Sequence, residues 1–249
     1  MKIDFTGKTI LVTGATRGIG KQIADDLAFL GAELILTGTH PDQIADLNEL
    51  AQSENLQRKY YCVDLLNKVS LDDFILKLES YPKIDALVNN AGINRLNFIN
   101  DILENDWNEM LAVNLSAPFR LLKTVSKKMI SHQYGRVINI ASIFSKISKE
   151  KRSAYSATKF GLHGLTVGVS NDLARHNILV NTLSPGFVMT DLTRKNLSPI
   201  EMVQLVDQVP AKRLAEVKDI SNVAVFLLSD QNSYLTGQNI VVDGGFTNV

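Results

Sequence analysis

Seven short β-prone runs alternate along this chain with longer amphipathic stretches, and that rhythm leaves few folds open. The runs span residues 9–13, 33–37, 59–63, 86–89, 136–140, 179–184 and 239–242. Ile10-Leu11-Val12 and Ala86-Leu87-Val88 are apolar on consecutive residues, as strands are when both faces of their sheet are covered. The stretches between them, 21–30, 41–53, 71–80, 106–131, 154–175 and 217–228, repeat apolar residues every three or four positions, the period of a helix packed along one stripe. Strand and helix in this alternation predict a doubly wound, Rossmann-type α/β fold, with a seven-stranded parallel sheet and helices on both faces. No internal repeat, low-complexity tract or Pro/Gly/Ser-rich linker breaks the pattern, so residues 1–249 read as one domain. Two stretches read as loops: 143–152, dense in charge, and 186–210, which lacks strand character and is the expected substrate loop.

Charge narrows the partners. Lysine and arginine number 26 and aspartate and glutamate 26, so no net field favours nucleic acid or anionic lipid, and small-molecule chemistry is expected instead. No apolar run is long enough for a signal-peptide core or a membrane span, and the expectation is a soluble, cytoplasmic protein with no membrane partner. The single cysteine, Cys62, cannot close an internal disulfide. It fits a reducing compartment and reads as a small buried residue at a strand end.

The first strand runs into Thr13-Gly14-Ala15-Thr16-Arg17-Gly18-Ile19-Gly20 and then at once into a helix. Glycine recurs in such a turn for mechanical reasons: a tight bend, close approach of backbone to a pyrophosphate, and close packing of helix on strand. The phosphates then sit at the positive end of the helix. Asn89-Asn90-Ala91-Gly92 closes the fourth strand with small and amide side chains suited to a backbone beside a ligand. Asn114 interrupts an apolar helix, where by itself it would face solvent or bend the helix. Tyr155 and Lys159 are four apart on an expected helix and so share a face. An ammonium there favours the phenolate and is expected to lower the tyrosine pKa toward working pH. Ser142 follows the fifth strand at the ligand-binding edge of the sheet, with its hydroxyl in reach of a substrate carbonyl.

In this order and conjunction the chain resembles the short-chain dehydrogenase/reductase family. The resemblance runs from residue 6 to 245 through Thr13 to Gly20, Asn89 to Gly92, the pair Tyr155 and Lys159, Ser142 thirteen residues before the tyrosine, and Asn114. It implies a catalytic tetrad of Asn114, Ser142, Tyr155 and Lys159. Tyr155 would be the acid/base, Ser142 the holder of the substrate oxygen, Lys159 the ribose ligand and Asn114 the holder of a relay water. It also implies a cofactor site made of Gly14, Thr16, Arg17, Gly18, Ile19, Gly20, Thr39, Asp64, Leu65, Asn90, Ala91, Gly92, Tyr155, Lys159, Pro185, Gly186, Val188 and Thr190, and no metal.

The second strand ends Thr37-Gly38-Thr39-His40 with no carboxylate to bind an adenosine 2′-hydroxyl, and Arg17 stands in the glycine turn. NADP(H) is therefore expected over NAD(H). Within the family the chain is most similar to the 3-oxoacyl-acyl-carrier-protein reductases, through Ser184-Pro185-Gly186-Phe187-Val188-Met189-Thr190-Asp191, Pro210-Ala211-Lys212-Arg213-Leu214, Leu235-Thr236-Gly237-Gln238 and Val242-Asp243-Gly244-Gly245. Sugar, polyol and steroid enzymes of the family share these features, so the partner is a small-molecule or acyl-carrier-bound carbonyl substrate. One departure stands out. Lys146, Lys149, Lys151 and Arg152 occupy a loop that the acyl reductases keep small and glycine-rich; the charges either are solvated or favour an anionic substrate. A catalytically silent dinucleotide-binding sensor is the alternative from another class, and the filled tetrad argues against it. The family resemblance further implies a homotetramer, built on helices 106–131 and 154–175 and on the last strand, with Phe246 buried against a neighbour.

Overall fold

The computed structural model describes residues 3–190, Thr193 and 198–248. Strands β1 (Thr9–Val12), β2 (Glu33–Gly38), β3 (Arg58–Cys62), β4 (Ala86–Asn89), β5 (Gly135–Ile140), β6 (Ile178–Pro185) and β7 (Asn239–Val242) join one sheet in the order β3-β2-β1-β4-β5-β6-β7. Every neighbouring pair is parallel. Parallel neighbours need crossovers, and the helices supply them. Ile10, Val12, Leu34, Leu36 and Val88 point to one face, against Ile23 and Leu27 of α1 (Gly18–Phe29), Ile44 of α2 (Pro41–Ser53) and Ile220 and Ala224 of α8 (Val217–Leu228). Leu11, Ile35, Leu87 and Val137 point to the other, against Phe74 and Leu78 of α3 (Lys68–Glu79), Leu121 and Val125 of α5 (Ala117–His132) and Leu173 of α6 (Ser153–Leu173). The consecutive apolar residues thus feed two cores from one strand, as their pattern requires. Chain order reverses between β1 and β4, which opens a crevice at the carboxyl ends of these strands.

The structure departs from three expectations. The stretch 106–131 is not one helix: α4 (Glu104–Leu111) passes through a π-helical turn, Ala112–Ser116, into α5. Pro118 explains the break, because it has no N–H to offer the carbonyl of Asn114 four residues back. The stretch 186–210 is not loop throughout, since α7 (Pro199–Gln208) fills its second half. Ser198 and Glu201 cap that helix reciprocally with proline in its first turn, a start signal readable in the sequence itself. Residues 191, 192 and 194–197 of that stretch, Asp191 among them, lie outside the described residues. Cys62, expected inside, is exposed. It ends β3, the edge strand, beyond which no further strand pairs among the described residues. Among the described residues no helix is long and apolar enough to cross a membrane.

Candidate active site

The glycine turn is held by neutral hydrogen bonds. Thr37 receives the Gly14 N–H on its hydroxyl at 3.2 Å and the Ala15 N–H on its carbonyl at 2.8 Å. From β4, the Asn90 amide donates to the carbonyls of Thr13 and Gly14 at 2.9 and 3.0 Å, while the Thr13 hydroxyl accepts the N–H groups of Asn90 and Ala91. Gly14 has φ +63°, where a side chain is strained, and a Cβ on Gly20 would lie 2.3 Å from the Asn90 amide. The two motifs are therefore one interlocked cradle at the switch point. Thr190 adjoins it: its methyl would be 3.7 Å from a Cβ on Gly18. Pro185 ends β6 and Gly186 donates to Val242 at 2.9 Å, while Val188 is buried and bridges to Ala215. Arg17 opens α1 as an exposed cation, and Thr39 is exposed just beyond β2. Asp64 turns the chain after β3 by accepting the Leu66 N–H at 2.9 Å, with Leu65 half-buried beside it.

The catalytic candidates meet beyond this cradle. Lys159 is buried and donates to the Ile140 carbonyl at 2.9 Å, and its Nζ lies 5.6 Å from the centre of the Tyr155 ring. A Cβ on Gly92 would come 3.3 Å from Asn114 Oδ1 and 3.5 Å from Lys159 Nζ, so the Gly92 backbone lies close against both side chains. Asn114 is buried in the π turn; it accepts the Ile93 N–H at 2.9 Å and donates to the Ile93 carbonyl at 2.8 Å and to Thr158 at 3.1 Å. The Ser142 side chain stands beside the Tyr155 phenol, near enough to pull its pKa down. Among the described residues no three His, Cys, Asp or Glu side chains converge as a metal site.

The electrostatics correct one expectation. Burial pushes the Tyr155 phenol above its ordinary value of 10.0; the Ser142 side chain and the charge of Arg152 pull it down without cancelling the rise. Lys159 does not supply that pull. Burial without an acidic partner brings its own ammonium down from 10.5 to about 8, and its proton is directed to the Ile140 carbonyl. Sequence reasoning also missed a buried bracket behind Ser142. The Ser145 hydroxyl donates to the Ser142 carbonyl at 2.7 Å, and Ser145, Ser184 and Asn239 bond one another at 2.6–3.0 Å. Nothing in the spacing of these three residues announces it, because the turn after β5 meets β6 and β7 only in the folded sheet.

A doubly wound sheet with a glycine cradle at its switch point, and a tyrosine, a serine and a lysine gathered beside it, defines a dinucleotide-dependent oxidoreductase. A family model described as enoyl-(acyl carrier protein) reductase matches residues 14–247. The chain is 36% identical over 244 residues to the 3-oxoacyl-acyl-carrier-protein reductase FabG of Escherichia coli (strain K12), covering 98% of both. It is 37% identical over 247 residues to that of Aquifex aeolicus (strain VF5), covering 98% of this chain and 99% of the relative. A gluconate 5-dehydrogenase from Burkholderia cenocepacia J2315, solved in complex with NADP and tartrate, superposes with a TM-score of 0.91 at 31% identity, covering 99% of this chain and 97% of that one. The chain belongs to the short-chain dehydrogenase/reductase family. It is an oxidoreductase acting on CH–OH groups with a nicotinamide dinucleotide.

Proposed function

We propose that this enzyme interconverts a carbonyl and a secondary alcohol with NADP(H), Tyr155 moving the proton. The observation that carries the reading is the gathering of Ser142, Tyr155 and buried Lys159 beside Gly92 and the glycine cradle. The cradle fits the cofactor: Gly14, Gly18, Gly20 and Gly92 leave the space a Cβ would fill, and the N-terminus of α1 suits a pyrophosphate. Thr16, Ile19, Asn90, Ala91, Pro185, Gly186, Val188 and Thr190 line the same crevice, with Asp64 and Leu65 at the adenine end. Arg17 and Thr39, with no acid at the end of β2, support NADP(H). When bound there, the nicotinamide supplies or accepts the hydride.

Ser142 orients the substrate oxygen, and Tyr155 gives it a proton in reduction and takes one in oxidation. Burial raises the phenol pKa, and the protonated form is the one that gives its proton in reduction. Lys159 is placed to bind the nicotinamide ribose. The Asn114 side chain fastens Ile93 to α6, so the relay water falls to its main-chain carbonyl, which Pro118 cannot engage.

Similarity over the full length to the FabG reductases supports 3-oxoacyl thioesters carried by acyl carrier protein. A second reading, reduction of keto-sugar acids, is favoured by the gluconate 5-dehydrogenase likeness and by Arg152 beside Tyr155. Following NADPH absorbance with 3-oxoacyl thioesters and with keto-sugar acids tests both. NADPH binding without turnover of either would support the silent sensor instead.

We also propose a homotetramer. Phe119 on α5, Phe160 and Val167 on α6, Phe226 on α8, and Tyr234 and Leu235 just before β7 are all exposed, giving apolar faces for two-fold contacts. Phe246 stacks edge-on against Phe187 at 5.0 Å and remains partly open to a neighbour. Light scattering at micromolar concentration is expected to give four times the 27.5 kDa chain mass, and a single-chain mass would refute both interfaces.

A further inference from the structure

Arg152 takes no part in the proton transfer, yet it stands beside the residue that performs it. Its carbonyl accepts the Ser156 N–H at 2.7 Å as α6 begins. Its side chain therefore sits one turn before Tyr155, where residues three apart share a helix face. The guanidinium lies 5.0 Å over the centre of the Phe144 ring, and that ring meets the Tyr155 ring edge-on at 6.2 Å. No acid occupies the first turn of α6, and among the described residues no carboxylate pairs with Arg152. The group whose charge acts on it is Tyr155 itself, and burial holds the guanidinium pKa below its ordinary value.

Neighbouring cations are either paired with acids, as Arg95 is, or exposed to solvent, as Lys146 and Lys151 are. Arg95 is engaged by Asp106 and Glu109, Lys146 donates to Thr247 and Asn248, and Lys151 lies over the exposed Phe98 ring. Half-burying a guanidinium without a counter-ion costs free energy that an arriving anion recovers. Its planar fork matches a carboxylate in two parallel hydrogen bonds.

We propose that Arg152 anchors a carboxylate on the substrate, so that the enzyme's substrates are oxoacids whose carboxylate lies a few bonds from the reacting carbonyl. The carboxylate pairs with Arg152 while the carbonyl oxygen meets Tyr155 and Ser142. The inference rests on the assignment of Tyr155 as the proton donor, and it chooses free acids over thioesters.

The test compares 3-oxobutanoate with its N-acetylcysteamine thioester, which presents the same ketone without the charge. Wild-type kcat/KM is expected to favour the free acid by about tenfold or more, the scale of a hydrogen-bonded charge. Arg152→Gln is expected to collapse that ratio and Arg152→Lys to restore part of it. A wild-type preference for the thioester would overturn the proposal. So would a loss in Arg152→Gln that falls equally on both substrates, which would mark Arg152 as acting only on the Tyr155 pKa. Calorimetry with malonate, a dicarboxylate without a reducible ketone, separates this from a failure of the chemistry. Binding to the cofactor-loaded enzyme that disappears in Arg152→Gln upholds the anchor even if no carbonyl is turned over; binding that is absent or indifferent to the substitution refutes it.

Discussion

Where the glycine turn meets Asn90, the crevice is held by backbone groups and neutral side chains; where Tyr155 meets Ser142 and Lys159, it is held by titratable groups buried without an acid. In the first region Thr13, Thr37 and Asn90 satisfy one another and the turn. Its specificity is a matter of shape, and substitutions there fail by collision. In the second region the Lys159 ammonium has a carbonyl but no carboxylate, and the Tyr155 phenol is pushed up by the same burial. Charges placed this way cost stability in the free protein and become useful only beside a ligand. One half of the site is therefore part of the fold, and the other is a burden on it.

The sharpest way to break that contrast is Tyr155→Phe, which removes a proton and almost no packing. Turnover is expected to fall by about 10² to 10⁴, the usual worth of a positioned acid, with NADPH binding by fluorescence titration little changed. Retention of more than about a tenth of kcat, far above that range, would show that the phenol is not the acid.

Next in size is the cofactor preference, which probes the half governed by shape. The unmutated enzyme is expected to favour NADPH over NADH in kcat/KM. A Cβ on Gly38 would lie 2.4 Å from the Thr16 methyl, so Gly38→Asp needs Thr16→Ala beside it to place a carboxylate at the end of β2. The pair is expected to shift the NADPH to NADH ratio by about tenfold or more, equivalent to ~1.4 kcal/mol. A wild-type enzyme that prefers NADH would end this reading.

The smallest effect tests whether the half around Tyr155 and Lys159 burdens the fold. With Lys159 at about 8 when folded and 10.5 ordinarily, the unfolded chain binds more protons between those values. Stability should therefore rise with pH across that window, and the penalty is fully present below about 8. Lys159→Met is expected to abolish turnover yet raise the Tm of the cofactor-free protein at pH 7 by a few degrees, the scale of ~1 kcal/mol in a chain this long. It should also flatten the alkaline rise. Scanning fluorimetry showing a lower Tm for the variant would mean that the bond to Ile140 outweighs the buried charge.

Much of the candidate site was readable from residue types in order. The glycines, Asn90, Ser142, Tyr155 and Lys159 each have a chemistry that names them, and the structure brings them to one crevice. Other features were not readable. Periodicity carried the apolar stripe straight through 106–131, because the π turn keeps the helix buried on the same side while Pro118 changes only its hydrogen bonding. Cys62 was placed inside on residue type alone, and only the strand order shows that β3 is an edge.

Local pattern determined the strands, the helices and the two-sided sheet, because consecutive apolar residues can be satisfied only by cores on both faces. It also determined which chemistry-bearing groups the crevice would contain, since the fold delivers the ends of parallel strands to one edge whatever lies between them. The tertiary structure alone decided how those groups are charged. The pKa of Tyr155 depends on burial, on Ser142 and on Arg152, and that of Lys159 on burial; those neighbours come from the turn after β5 and from Arg152 at the head of α6, and the carbonyl that takes the Lys159 proton comes from β5. The i, i+4 spacing put ammonium and phenol on one face; it carried no information about the desolvation that reversed the expected shift, because desolvation is a property of everything packed around the pair.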